Sequence, residues 1–334
     1  MTAEPTAPIH WLPDELLGAI LQFHSLAAGS RDLDLDTLKS ASLVHSSWRD
    51  TAQRLIWEAG AELRTLDEVD QYIHTSSRRR GGPKEIAVYA ARSTDQLARL
   101  FDVCTGVRVL MIATPTRDFD PAVLVHPALS ELRQLIVQGW FVRSSPQPPL
   151  AFPFRHLDSL VAVDLSPGRR SPLDSLLTQL ARSCAGSLTS ISLPSVPSHA
   201  NESVAAALVP LAPHLKHLGL SLKGSPESEA SFIPVFTSAT KLRSFECTTL
   251  PYGLLPHLSP SLKVLATMED ADRIDPLQLR DGLLARCPKL RKLYFACTRS
   301  EFGARRGGEE VVQAAQARGI EWLFGDDLQN GDDE

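Results

Sequence analysis

The sequence predicts an α/β protein: a short helical module at the N-terminus, then an irregular solenoid of stacked strand-and-return units. Its parallel β-sheet is expected on the concave face and its helices on the convex face. Three observations point there. Residues 9–57 carry apolar side chains at helical spacing. From residue 107 an apolar-x-x-apolar-x-apolar step recurs eight times, with starts 25, 28, 28, 27, 27, 20 and 28 residues apart. A 43% hydrophobic fraction over 334 residues is enough for a continuous core.

Composition narrows the function classes. Thirty-four Lys and Arg against 39 Asp and Glu give a net charge of −5, which argues against a surface built to neutralise phosphates. Aromatics at 6% are too few for base-stacking platforms to be a theme. The first ten residues lack a basic start followed by an apolar run, and no stretch of eighteen apolar residues occurs. No nucleic acid and no membrane are therefore expected as partners. Five widely spread cysteines with no C-x-x-C pair read as buried free thiols of an intracellular protein, cytoplasmic and/or nuclear.

The N-terminal module reads in order. Pro13 suits a first helical position, and Asp14 and Glu15 follow where the helix dipole favours carboxylates. Leu12, Leu16, Leu17, Ile20, Leu21 and Phe23 then share a face. After a polar stretch, Asp36 is expected to cap a second helix with Leu38, Ala41, Leu43 and Val44. Ser46 or Ser47 starts a third with Trp48, Ala52, Leu55, Ile56 and Trp57. Three short helices cannot bury this surface among themselves, so a partner or a neighbouring domain is needed. Periodicity alone does not separate a docking module from a cap.

The residues carry more. Trp11-Leu12-Pro13-Asp14-Glu15-Leu16-Leu17, then Ala41-Ser42-Leu43-Val44-His45-Ser46-Ser47-Trp48-Arg49, then Leu55-Ile56-Trp57 resemble the F-box, although His45-Ser46 replace the frequent Cys followed by Arg or Lys. The resemblance implies docking onto a Skp-type adaptor and, through it, a cullin–RING ubiquitin ligase. Its adaptor-binding positions are Leu12, Pro13, Leu16, Leu17, Ile20, Leu21, Val44 and Trp48, some of which also form the module's own small core.

Next, Leu63, Leu66, Val69, Tyr72 and Ile73 read as an amphipathic helix, and the Arg78–Arg80 triplet as a solvated loop. Ile86–Tyr89 reads as a first strand, with Ser93 or Thr94 starting a helix. The recurring steps are Val107/Leu110/Ile112, Leu132/Leu135/Val137, Leu160/Val163/Leu165, Leu188/Ile191/Leu193, Leu215/Leu218/Leu220, Leu242/Phe245/Cys247, Leu262/Leu265/Thr267 and Leu290/Leu293/Phe295. They resemble the leucine-rich repeats that follow an F-box in many such proteins, without the usual Asn or Cys column. Ser171-Pro172 with Leu173, Leu176, Leu177 and Leu180 is the clearest return helix; Val311–Ala317 and Ile320–Phe324 form a last helix and strand. The expected organisation is a disordered N-terminus (1–8), an F-box (9–57), a linker helix and loop (58–82), a leucine-rich-repeat solenoid (83–324) and an acidic disordered tail (325–334).

Alternation places one set of strand residues outward. From these and one rim, Met111, Ile136, Gln138, Asp164, His217, Glu246, Met268 and Tyr294, with the loop pair Trp140 and Phe141, are the candidate target-binding residues. No nucleophile elbow, zincin, Walker or dinucleotide motif is present, so no catalytic residue, metal or cofactor is assigned. The expectation is a non-catalytic substrate-recognition subunit of a Skp–cullin–F-box ligase for an unknown target protein. The alternative is a repeat scaffold with an F-box-like cap and no ubiquitin role.

Overall fold

The structure is a computed structural model. It describes residues 35–44, 48–49, 51–52, 55, 60–76, 82–113, 121–138, 151–163, 172–196, 198–222 and 226–325. Its centre is one sheet of eleven strands: β1 (Ala61–Leu63), β2 (Glu85–Val88), β3 (Val109–Ile112), β4 (Gln134–Gln138), β5 (Ser159–Val163), β6 (Ser190–Leu193), β7 (His217–Leu220), β8 (Ser244–Cys247), β9 (Val264–Thr267), β10 (Lys292–Phe295) and β11 (Glu321–Leu323). Every pairing is parallel, and the strands lie side by side in chain order. The order never reverses, so the sheet has no topological switch point.

Three to five residues per strand suffice, and in β3–β6 buried side chains alternate with ones facing out. The buried column runs Ile86, Leu110, Leu135, Leu160, Ile191, Leu218, Phe245, Leu265 and Leu293, each at most 1% exposed. Successive members are direct partners in the ladder.

The returns cover the buried side. α1 (Leu35–Val44) precedes the sheet, and α2 (Leu66–Ser76) follows β1. α3 (Thr94–Val103) starts at Ser93, whose hydroxyl accepts from the Gln96 N–H at 3.3 Å, and it buries Leu97, Leu100 and Phe101. α4 (Pro172–Cys184), α5 (Asn201–Leu208) and α6 (Pro226–Ser238) pack side by side. The short α7 (Pro276–Gln278) runs into a π-helical turn, Leu279–Leu284. α8 (Arg299–Gly303) and α9 (Gly308–Ala317) close the end, where Phe295, Phe302, Trp322 and Phe324 form a cluster of rings. The unit spanning only 20 residues, from Leu242 to Leu262, is short because its return holds a 3₁₀ turn, Tyr252–His257, in place of an α-helix.

The expected fold class, a three-helix F-box followed by a leucine-rich-repeat solenoid with helices on its convex face, is corrected. The described residues form an α/β fold on one eleven-stranded, all-parallel sheet that already begins at Ala61. β1 pairs with β2 from Ala61↔Ile86 to Leu63↔Val88, so residues read as linker belong to the ladder. The return between β3 and β4 holds 3₁₀ turns, Pro121–Val125 and Pro127–Leu129. Of the three N-terminal helices, only α1 is described as a continuous element, starting at Leu35. The readings for residues 1–8, for the first helix and for the tail from residue 326 lie outside the described residues.

One register is also corrected. The third step is Leu157/Leu160/Ala162, not Leu160/Val163/Leu165: Leu160 pairs with Leu135 and Ile191, while Val163 pairs with Gln138 on the outward face. The pattern fitted twice, three residues apart. Only the backbone ladder chooses between the fits.

Candidate protein-docking face

The side of the sheet opposite the core is an open surface whose rows are set by register. One row runs Ala87, Met111, Ile136, Val161, Ser192, Gly219, Glu246, Ala266, Tyr294 and Leu323, each directly beside the next. Its first part is apolar. Met111, Ile136 and Val161 are half-buried neighbours on consecutive strands, with Val163 and Gln138 paired further along β5 and β4.

Past β5 the same row becomes small and polar, and a groove of ≈ 200 Å³ opens over β6–β9. Gly219 and Ala266 form its floor with Ser192. The glycine is there for space: a Cβ would lie 2.8 Å from Ser192 Oγ and 3.4 Å from Ser192 Cα. Ser221 Oγ and Thr248 Oγ1 share a hydrogen bond of 2.6 Å on one wall. Glu246 is exposed beside them, and Met268 stands 73% exposed at the rim.

The rim is braced from beneath. Glu269 is buried and accepts the Leu250 N–H at 2.7 Å, while Thr267 Oγ1 accepts the Glu269 N–H at 3.2 Å. Burial raises the Glu269 carboxyl above the usual carboxylate range, against the opposing pull of that N–H. The Tyr252 hydroxyl accepts the Asp275 N–H at 2.6 Å and donates to the Arg273 carbonyl at 3.3 Å; burial pushes it up to about 12.

The predicted target-binding residues therefore fall into two groups. Met111 and Ile136 are direct neighbours, and Gln138 ends β4 beside Val163. Glu246 and Met268 line the groove, with His217 exposed at the start of β7 and Tyr294 beside Ala266 on β10. Trp140, Phe141 and Asp164 lie outside the described residues, as do Leu12, Pro13, Leu16, Leu17, Ile20 and Leu21. Val44 ends α1, and Trp48 packs half-buried on a small cluster of Leu38, Ala41, Ala52 and Leu55. Gly219, Ala266, Val161 and Val163 were missed. The first two lack the bulk that singles out a surface residue, and the last two sat in the misplaced register.

The groove offers contact, hydroxyls and one carboxylate, Glu246. Burial pushes Cys104, Cys184 and Cys247 up to about 12 and Cys287 to about 11, so these thiols stay protonated near neutrality. No group of three His, Cys, Asp or Glu suited to a metal ion occurs among the described residues. No helix among them is long and apolar enough to cross a membrane.

No protein-family model matches the chain, and no curated protein does. Among solved structures, a D-lactate dehydrogenase from Treponema pallidum aligns over 79% of this chain and 88% of its own, at 11% identity and a TM-score of 0.21. At that score neither a fold nor an activity follows from the likeness.

Proposed function

We propose that the chain is a non-catalytic substrate-recognition subunit of a Skp–cullin–RING ubiquitin ligase, working in the cytoplasm or nucleus. Residues 9–57 engage the Skp-type adaptor and the open sheet face holds a target protein. The observation that carries this reading is a large apolar side chain left in solvent beside a small N-terminal cluster. Among the described residues, Leu38, Ala41, Ala52 and Leu55 with Trp48 form a cluster distinct from the sheet's core, while Leu43 on α1 is 82% exposed. A cap would sink its apolar residues into the body it covers. A docking helix instead keeps large apolar groups in solvent until a partner buries them. The chain contributes proximity: tethering the target near the ligase raises its effective concentration, and a separate enzyme supplies the ubiquitin chemistry.

Co-purification of the full chain with a Skp-type adaptor tests the reading. Leu43→Asp, Leu16→Asp and Ile20→Asp are each expected to abolish capture while the circular-dichroism spectrum and urea midpoint of the sheet are retained. Leu43 is the most informative because its exposure leaves little folding energy to lose. Adaptor capture that survives all three changes would remove the ligase role.

A further inference from the structure

A second feature of the sheet lies on neither face but along the N-terminal ends of the strands. The residue just before each strand offers its carbonyl to two N–H groups of the next unit. The Thr189 carbonyl takes those of Lys216 and His217 at 2.8 and 3.0 Å, and the Lys216 carbonyl those of Arg243 and Ser244 at 2.7 and 3.0 Å. The Arg243 carbonyl takes those of Lys263 and Val264 at 2.7 and 3.0 Å, and the Lys263 carbonyl those of Arg291 and Lys292 at 2.8 and 3.0 Å. This repeated fork fixes the backbone, so Lys216, Arg243, Lys263 and Arg291 leave neighbouring strands in a row spaced by about 4.8 Å.

Three of the four side chains are exposed, and Lys263 is half-exposed. Among the described residues none of them is in an ion pair. Lys241 and Lys289 flank the row, and segments 209–217, 238–244, 257–264 and 285–292 contain no Asp or Glu. Glu321 on β11 is taken by Lys292 at 2.9 Å. In a chain of net charge −5, this positive edge is a local concentration of charge with no ion-pair partner among the described residues. The N-terminal ends of β2–β5 differ, because Glu85, Glu131 and Asp158 break up Lys84, Arg108 and Arg133.

We infer that this edge docks an acidic segment of a partner protein, laid in extended form across the starts of β7–β10. The inference deepens the target-binding half of the reading above and rests on it. Alternate side chains of an extended peptide are roughly 6.7 Å apart, a mismatch with the row that long, flexible Lys and Arg stems absorb. Nucleic acid fits less well: the four segments contain no Phe, Trp or Tyr on which bases would stack.

Fluorescence anisotropy of a labelled polyglutamate peptide with the full chain, at about 0.05 and 0.2 M salt, tests the inference. Binding weakened by salt is expected. The triple variant Arg243→Glu, Lys263→Glu, Arg291→Glu should lose at least about tenfold in affinity. An equal charge change elsewhere, Arg299→Glu, Arg305→Glu, Arg306→Glu, should lose less than about threefold. If the charge-reversed row fails to fold, Arg243→Gln, Lys263→Gln, Arg291→Gln takes its place with the same direction expected. No binding by the native chain, unchanged binding by the row variant, equal loss in both triples, or tighter binding of a single-stranded oligonucleotide than of polyglutamate would each overturn it. Adaptor capture by the same variants is expected to be unaffected, so failure of the edge and failure of the ligase reading are separate results.

Discussion

The outward faces of β3–β5 and of β6–β9 share one backbone ladder, yet they present different chemistry. Beneath both runs the same kind of column, Leu110, Leu135 and Leu160 on one side and Ile191, Leu218, Phe245 and Leu265 on the other, all buried. Above it, Met111, Ile136 and Val161 make an apolar strip, whereas Ser192, Gly219, Glu246 and Ala266 make the floor and wall of a groove. The core dictates the inward positions and leaves the outward ones free. Their divergence therefore separates what folding needs from what contact with a partner can use. The first half offers area for hydrophobic burial; the second offers shape, hydroxyls and a carboxylate.

The largest expected effect breaks both halves together. Phe245→Ala removes a fully buried ring that meets Phe236 edge-on at a centroid distance of 5.0 Å, and a loss of about 3–5 kcal/mol in urea unfolding is expected. A loss below about 1 kcal/mol would mean that the column is not a shared core.

A smaller pair of changes separates the halves. Gly219→Leu fills the groove floor against Ser192 and should cost about 1–3 kcal/mol of stability by overpacking. Ile136→Asp, at a half-buried position, should cost less stability and act mainly on the apolar strip. With the target co-purified from cells, the two variants tell which half carries the contact. Each is expected to weaken capture by about tenfold if both halves touch the target.

The smallest effect concerns the groove's rim. Because burial raises the folded-state pKa of Glu269, the native chain holds that proton more tightly than the unfolded chain does. Stability contributed by the protonated form is present below the ordinary carboxylate pKa and is lost as pH rises through the raised one. Urea midpoints over this interval should fall with rising pH in the native chain and fall less steeply in Glu269→Gln. Some slope should remain, because Glu229 is raised by burial in the same direction. An identical slope in the variant would mean that Glu269 is solvated in the native state.

Much of the inward architecture was legible in residue types and spacing. Leucines at Leu110, Leu135, Leu218 and Leu293 announce themselves because burying a large aliphatic side chain is favourable wherever the strand sits. A helix start at Ser93 or Thr94 was likewise visible, since a hydroxyl before a helical run has a local task, and the structure gives that task to Ser93. The outward face was harder to read. Gly219 offers no side chain to notice, and Val163 and Val161 were hidden by a motif that fits twice. β1 was missed because three residues, Ala61–Leu63, carry too little pattern to distinguish a strand from the start of the next helix. The positive edge was written in the sequence as a Lys or Arg after a Leu, at 216, 243, 263 and 291, but it gains meaning only when those positions are neighbours.

The chain by itself determined which side chains turn inward in seven of the eight steps, where several helices start and that its five thiols would be buried, because each follows from local spacing and apolar burial. Only the tertiary structure decided which distant residues stand side by side. Returns of unequal length carry no register, so the placement of Met111 against Ile136, of Gly219 against Glu246 and of the basic residues in one row came from backbone hydrogen bonds between strands. Those bonds bring residues 20 or more positions apart to within one strand spacing, about 4.8 Å, and no local pattern in the sequence encodes that distance.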